Sequence, residues 1–193
     1  DLDGKQMILA VVRDISDRKV AKDLLRESQL DYEILFDDSP IPLWDEDFSE
    51  LLIYLEGRKT AGIKDFRAFF DANPDAVSMC LKKIQLLKIN KASLALHDAT
   101  SKEHLLENFE KVFTDRSLEA FKEGLIAIAE GQTQFEIQSE IMTLSGELII
   151  IYLTLVMDQT PGRRGKGLVV TIDITEKVLL EAQLRQAQKM ESV

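Results

Sequence analysis

Residues 167–193 read GLVVTIDITEKVLLEAQLRQAQKMESV, and the fold turns on how this stretch is parsed. Gly167 to Ile174 is rich in β-branched residues and reads as a strand. Thr175 is then a plausible helix cap and Glu176 the acidic residue that the helix dipole favours in a first turn. Leu180, Leu184 and Ala187 follow at coiled-coil spacing. A strand therefore passes directly into a helix with an apolar seam. The same design stands near the other end of the chain. Met7 to Val12 (MILAVV) reads as a strand, and Asp14-Ile15-Ser16-Asp17-Arg18 matches Asp173-Ile174-Thr175-Glu176-Lys177. At the same offset, Leu25-Arg26 falls on Leu184-Arg185 and Gln29 on Gln188. Ser16 is the corresponding cap, and Ala21, Leu25, Ser28, Tyr32 and Leu35 form the seam until Pro40 and Pro42 stop the helix. One structural unit ends twice.

Working back from the closing strand, Gln134 to Thr143 alternates Phe135, Ile137 and Ile141 with Gln134, Glu136, Gln138 and Glu140, the pattern of a half-buried antiparallel strand. Leu144 to Glu147 reverses the chain. Leu148 to Met157 (LIIIYLTLVM) is apolar on both faces, which places it mid-sheet with cover on each side. Together with the closing strand these make a three-strand meander. The preceding half is mainly helical. Phe48, Leu51, Leu52 and Leu55 form one stripe, Phe66, Phe69 and Phe70 another, and Asp75 to Lys83 a third short helix behind Pro74. Ile84 to Asn90 reads as a strand, KASLALH and SKEHLLENF as short helices, and Asp115 to Glu130 as a longer helix ended by Gly131.

With 193 residues and 45% apolar content, the chain can bury one core of ordinary domain size. A net charge of -10 argues against a nucleic-acid or anionic-membrane surface, since both need basic residues to meet phosphate. Cys80 is the single cysteine and has no internal disulfide partner. No apolar run reaches the roughly 18 to 20 residues of a membrane span. The chain reads as cytoplasmic. It opens on DLDGKQ, with neither an initiator Met nor a signal peptide, and reads as a segment of a longer protein whose membrane anchor, if any, lies elsewhere.

The order of elements, the segment LLKINKASLALHDATSKEHL with its strand-Asn-x-Ala-helix run, and the exit GKGLVVTIDITEKVLLEAQLRQAQKMESV resemble a PAS domain with its C-terminal PAC half, as found in sensor histidine kinases. The resemblance implies an α+β fold, an antiparallel sheet with helices on one face. It covers about residues 40–175, with residues 1–16 similar to the last strand of an upstream PAS domain, 17–39 a linker helix and 176–193 an exit helix toward a further domain. One departure stands out. Residues of about 45–83 lengthen the segment between the domain's first two strands, one near Pro42 to Trp44 and the other ending at Asn90, implying a helical insertion that reshapes any pocket.

Candidate chemistry is sparse. Neither His97 nor His104 has the context of a phosphoacceptor, and the boxes of a kinase ATPase domain are absent, so the segment is expected not to be an enzyme. The long helix has no His of the kind haem-binding PAS sensors use, and Cys80 in AVSMCLKK does not match the reactive motif of flavin-binding relatives. Haem and a flavin adduct are therefore not expected, and no zinc spacing occurs. Cys80 reads as a core residue, and the acidic run Asp45-Glu46-Asp47 as a group that could bind a cation or, more simply, as charge at a helix N-terminus. A small-molecule ligand remains open, since the resemblance implies a site between sheet and short helices. Trp44, Phe48, Phe135 and Tyr152 are its candidate apolar lining, with side-chain packing alone as the competing account. His97, Thr154 and Thr171 are the candidate polar groups. The expected role is sensory relay. Asp173, Ile174 and Thr175 would carry a change in the sheet to the exit helix, and Ala21, Leu25, Tyr32, Leu35, Leu180, Leu184 and Ala187 would meet a second copy. The partners implied are that copy, an upstream PAS domain and a downstream kinase; a ligand-free spacer and a cyclase-linked module are the alternatives.

Overall fold

Five strands form one antiparallel sheet in a computed structural model that describes residues 16–160 and 162–191. The strand expected over Met7–Val12 lies outside the described residues, as does the side chain of Ser16. The chain divides into two compact units, residues 1–35 and 36–193. Of the first, the structure describes helix α1 (Ser16–Asp37), whose last residues open the second unit.

In the second unit β1 (Leu43–Asp47) is followed by three helices, α2 (Ser49–Thr60), α3 (Phe66–Ala72) and α4 (Pro74–Leu81), before β2 (Gln85–Ile89). β1 and β2 pair as neighbours, so the insertion sits inside what would otherwise be a hairpin. It starts after Asp47, two residues later than the sequence suggested. Each helix forms for a local reason. Asp65 caps α3 by accepting the Ala68 N–H, and Pro74 opens α4 at a position where no N–H is required. Leu51, Leu55, Phe66, Phe70 and Cys80 bury the inner stripes of these helices. The insertion is thereby part of the core.

After β2 come α5 (Lys91–Leu96), α6 (Lys102–Glu107), a 3-10 turn (Phe109–Val112) and α7 (Asp115–Ala129). Asn90 is fully buried and holds the entry to this half. Its Oδ1 accepts from Leu43 N–H (3.0 Å) and from Ser93 N–H (2.9 Å), while Nδ2 donates to the carbonyls of Ile41 (2.8 Å) and Phe36 (3.1 Å). One side chain thus joins the chain entering β1 to the start of α5. α7 is capped reciprocally by Thr114 and Ser117, and Gly131, at φ +90°, closes it.

β3 (Gln134–Met142), β4 (Leu148–Met157) and β5 (Lys166–Asp173) complete the sheet, whose order is β2-β1-β5-β4-β3. β5 is central. The double cover expected for β4 is corrected here: its inner residues Ile149, Ile151, Leu155 and Met157 are buried, whereas Leu148 and Val156 on the other face stay 48% and 46% exposed. An apolar run shows that a strand can be covered twice. It does not show that the chain supplies the second layer.

α8 (Thr175–Glu191) leaves directly from β5. Ile174, not Thr175, stands at the cap, its carbonyl accepting the Val178 N–H. The Thr175 hydroxyl instead accepts the Ile150 N–H of β4 at 2.8 Å. The expected cap is a stitch between helix and sheet.

Candidate functional site

Strand parity decides what faces the helices. Cross-strand partners Trp44, Val169, Leu155 and Phe135 form one row on the inner face, and Thr171, Leu153 and Ile137 form the next. Above these rows lie the 3-10 turn and α7. Between the layers remains a cavity of about 190 Å³, bordered by Trp44, Glu46, Phe48, Phe135, Ser139, Ile151 and Thr171 on the sheet side and by Leu81, His97, Phe109, Phe121 and Leu125 on the helical side. That volume exceeds the ~150 Å³ at which an apolar cavity already takes up a benzene-sized molecule.

Two glycines shape its floor. A Cβ on Gly167 would come within 2.8 Å of the Phe48 ring, so only glycine lets that ring lie flat against β5. Gly165 has φ +99°, and its carbonyl accepts the Phe48 N–H at 2.6 Å, which fixes where the ring enters.

Most of the wall is apolar, which makes its few polar groups informative. Trp44 meets His97 edge-on with ring centroids 5.0 Å apart, and Phe109 at 6.2 Å. His97 is buried, and its Nδ1 lies 2.8 Å from the Ser93 carbonyl. A carbonyl only accepts, so Nδ1 carries the proton and Nε2 of the neutral ring is an acceptor. Burial holds His97 below the usual imidazole range. Among the described residues, Trp44 Nε1 and Ser139 Oγ are buried without a hydrogen-bond partner. Both border the cavity. Glu46 is half-buried, and its side chain takes part in no hydrogen bond or ion pair among the described residues. Desolvation, reinforced by the neighbouring Asp45 charge, pushes its carboxyl up to about 7.

Five of the seven candidate pocket residues therefore meet: Trp44, Phe48, His97, Phe135 and Thr171. Tyr152 and Thr154 do not. They occupy the even positions of β4, which point to the opposite face, where the Tyr152 hydroxyl donates to Glu136 Oε2 at 2.7 Å. Because β4 is apolar on both faces, its sequence carries no parity signal, and the neighbouring alternation of β3 was needed to assign it. The acidic run is divided. Asp45, Glu46 and Asp47 lie in β1, directly before α2, and of the three it is Asp47 that meets the helix N-terminus. Asp47 accepts from Ser49 N–H at the start of α2 and pairs with Lys166, which holds its carboxyl down at about 2. Glu46 and Ser139 were not among the sequence candidates. Glu46 sits two residues from Trp44 in a strand, hence on the same face, and that was the available signal. Cys80 is fully buried as expected, and burial pushes its thiol up to about 11.

At the exit, Ile174 N–H donates to the Ile150 carbonyl at 2.8 Å, and Asp173 Oδ1 accepts the Thr175 N–H at 2.8 Å. Ile150 thus both donates to and accepts from the junction. Its neighbour Ile151 borders the cavity, so one residue of β4 separates the cavity wall from the start of α8. The seam residues Leu25, Tyr32 and Leu35 of α1, and Leu180 and Leu184 of α8, are 48–74% exposed, and Ala21 and Ala187 are exposed as well.

No known family pattern and no curated protein matches the sequence. Solved structures do. The PAS domain of an HTR-like protein from Haloarcula marismortui is similar at a TM-score of 0.50 and 14% identity, covering 81% of this chain and 100% of that one. An RNA-binding light-oxygen-voltage receptor is similar at a TM-score of 0.51 and 14% identity, with 97% of this chain and 42% of the receptor's covered. At such identity the likeness speaks for the fold. The chain has the PAS fold.

Proposed function

We propose that this PAS-fold chain is a sensory and relay module of a multidomain histidine kinase, cytoplasmic and without catalysis of its own. It takes a small molecule between sheet and helices and passes the change to a downstream domain through α8. The observation that carries this reading is the cavity: an apolar space bordered by buried polar atoms that have no partner among the described residues. Burying an unpaired donor costs about 1 to 3 kcal/mol, a cost that a bound acceptor relieves.

The relay follows from the exit geometry. A ligand that displaces Ile151 or Thr171 moves β4 against β5, and Ile150 carries the displacement to Thr175. The register or rotation of Leu180, Leu184 and Ala187 against a second copy then changes. Such a device needs two packings separated by only a few kcal/mol, and a seam containing alanine is weak enough to allow them.

The chain's single tryptophan stands in the cavity wall, so occupancy can be read directly. Native mass spectrometry of the purified chain, with Trp44 fluorescence before and after gentle denaturation and refolding, should show added mass that is lost together with a change in emission. Bare chains whose Trp44 emission is insensitive to a library of small apolar molecules would leave a ligand-free, dimerising spacer as the correct reading. The close packing of Trp44 against His97 and Phe109 is the feature that favours that alternative.

A further inference from the structure

Resting on the ligand-binding reading above, the wall chemistry narrows the ligand class. Among the described residues the Glu46 side chain borders the cavity with neither a hydrogen bond nor a cation to meet it, and no lysine or arginine borders the cavity with it. Aromatic rings stand among the aliphatic side chains of the wall, including Trp44, Phe48, Phe109, Phe121 and Phe135. Ring faces carry negative potential and attract cations. An unpaired carboxylate in a wall of aromatic and aliphatic side chains is therefore a receptor for positive charge attached to an apolar body. An organic anion would meet the same carboxylate with no counter-charge and would lose its hydration uncompensated.

We propose that the cavity binds an apolar amine, its ammonium paired with Glu46 and its body packed among the aromatic side chains. The unpartnered Trp44 N–H is then available to an acceptor elsewhere on the ligand.

The charged groups around Glu46 leave it as the group that responds near neutrality. Across the sheet its partners are Leu86 on β2 and Gly167 on β5. Lys166, next along β5, is committed to Asp47. Asp45, its neighbour in β1, adds a like charge that opposes ionisation, and His97 on the helical side is held below its usual range. Burial keeps Glu46 partly protonated at about 7, whereas an ammonium beside it favours the ionised form. Binding then releases a proton. Affinity for an amine rises as pH rises through about 7 and levels off above it, since the protein binds more protons when free than when bound.

The test uses 2-phenylethylamine, whose ammonium stays charged like that of lysine at about 10.4, beside the neutral 2-phenylethanol and the anionic 3-phenylpropanoate. Titration of Trp44 fluorescence should give amine binding about tenfold tighter near pH 8 than near pH 6, and no such slope for the alcohol. Calorimetry in buffers of different ionisation enthalpy should show proton release for the amine alone. Glu46→Gln should weaken the amine at least about tenfold and abolish its pH slope, while the alcohol binds as before, which also shows that the variant is folded. Alcohol and amine bound alike, with no pH slope, or the anion preferred, overturns the amine assignment and leaves the sensory reading standing. If none of the three binds, the amine assignment falls. The added-mass measurement then decides whether the sensory reading falls with it.

Discussion

At the scale of single residues, the two positions that matter most are a buried amide and a half-buried carboxyl, and neither is apolar. Asn90 satisfies backbone groups from three segments, with Phe36 and Ile41 before β1, Leu43 in it and Ser93 in α5. Removing it takes the acceptor from the Leu43 and Ser93 N–H groups. Asn90→Ala should cost about 2 to 4 kcal/mol in urea denaturation at an unchanged m-value, while Asn90→Asp should cost at least as much because it also removes the donors and buries a charge. A loss below about 0.5 kcal/mol for either variant would show that the amide does not hold the entry to β1. The sequence offered Asn90 through its place in the strand-Asn-x-Ala-helix run. Glu46 it offered only as part of an acidic run, because the periodicity that turns it inward belongs to a five-residue strand bounded on one side by a helix.

Among the elements, the β5-to-α8 junction illustrates how a correct assignment can carry the wrong contact. Thr175 has the chemistry of a cap, and a helix does start there. Its hydroxyl is drawn to Ile150 because β4 extends past the last paired position of β5, and Ile150, the first residue beyond it, has an N–H that needs an acceptor. Thr175→Val keeps the shape and removes the acceptor. It should destabilise the start of α8 by about 1 to 2 kcal/mol, seen as faster amide exchange at Ile150 and in the first turn of α8 while the core strands are unchanged. Unaltered exchange at Ile150 would show that the stitch does not form in solution. The insertion makes a second point at this scale. Its stripes were legible because aromatic and leucine residues recur at helical spacing, but that it pairs with the core through Lys122 to Asp71 and Arg67 to Glu123 required the fold. Those ion pairs are exposed and contribute little beside Leu51, Leu55 and Phe70.

Over the whole molecule, apolar side chains on two single helices remain uncovered. Leu25 and Leu184 are each 60% exposed at matching places in repeated designs, and a second copy would cover them. The chain is therefore expected to sediment as a dimer, and Leu184→Asp combined with Leu25→Asp should shift it toward the monomer while leaving its thermal transition nearly unchanged. Wild-type sedimentation as a monomer at all concentrations would dispose of the seam as a self-contained interface.

The sequence alone determined the element order, the strand-to-helix exit, the insertion and the apolar seams, because each is written in local periodicity, capping or turn residues. Tertiary structure decided which residues share a cavity. Trp44 and Glu46 in β1, His97 at the end of α5 and Ser139 in β3 come from three separate parts of the chain, and Tyr152 is excluded by a parity that β4 inherits from its register with β3. Local signals act over a few residues, whereas a cavity is a property of how sheet and helices fail to close upon each other. That failure is visible only once both layers are in place.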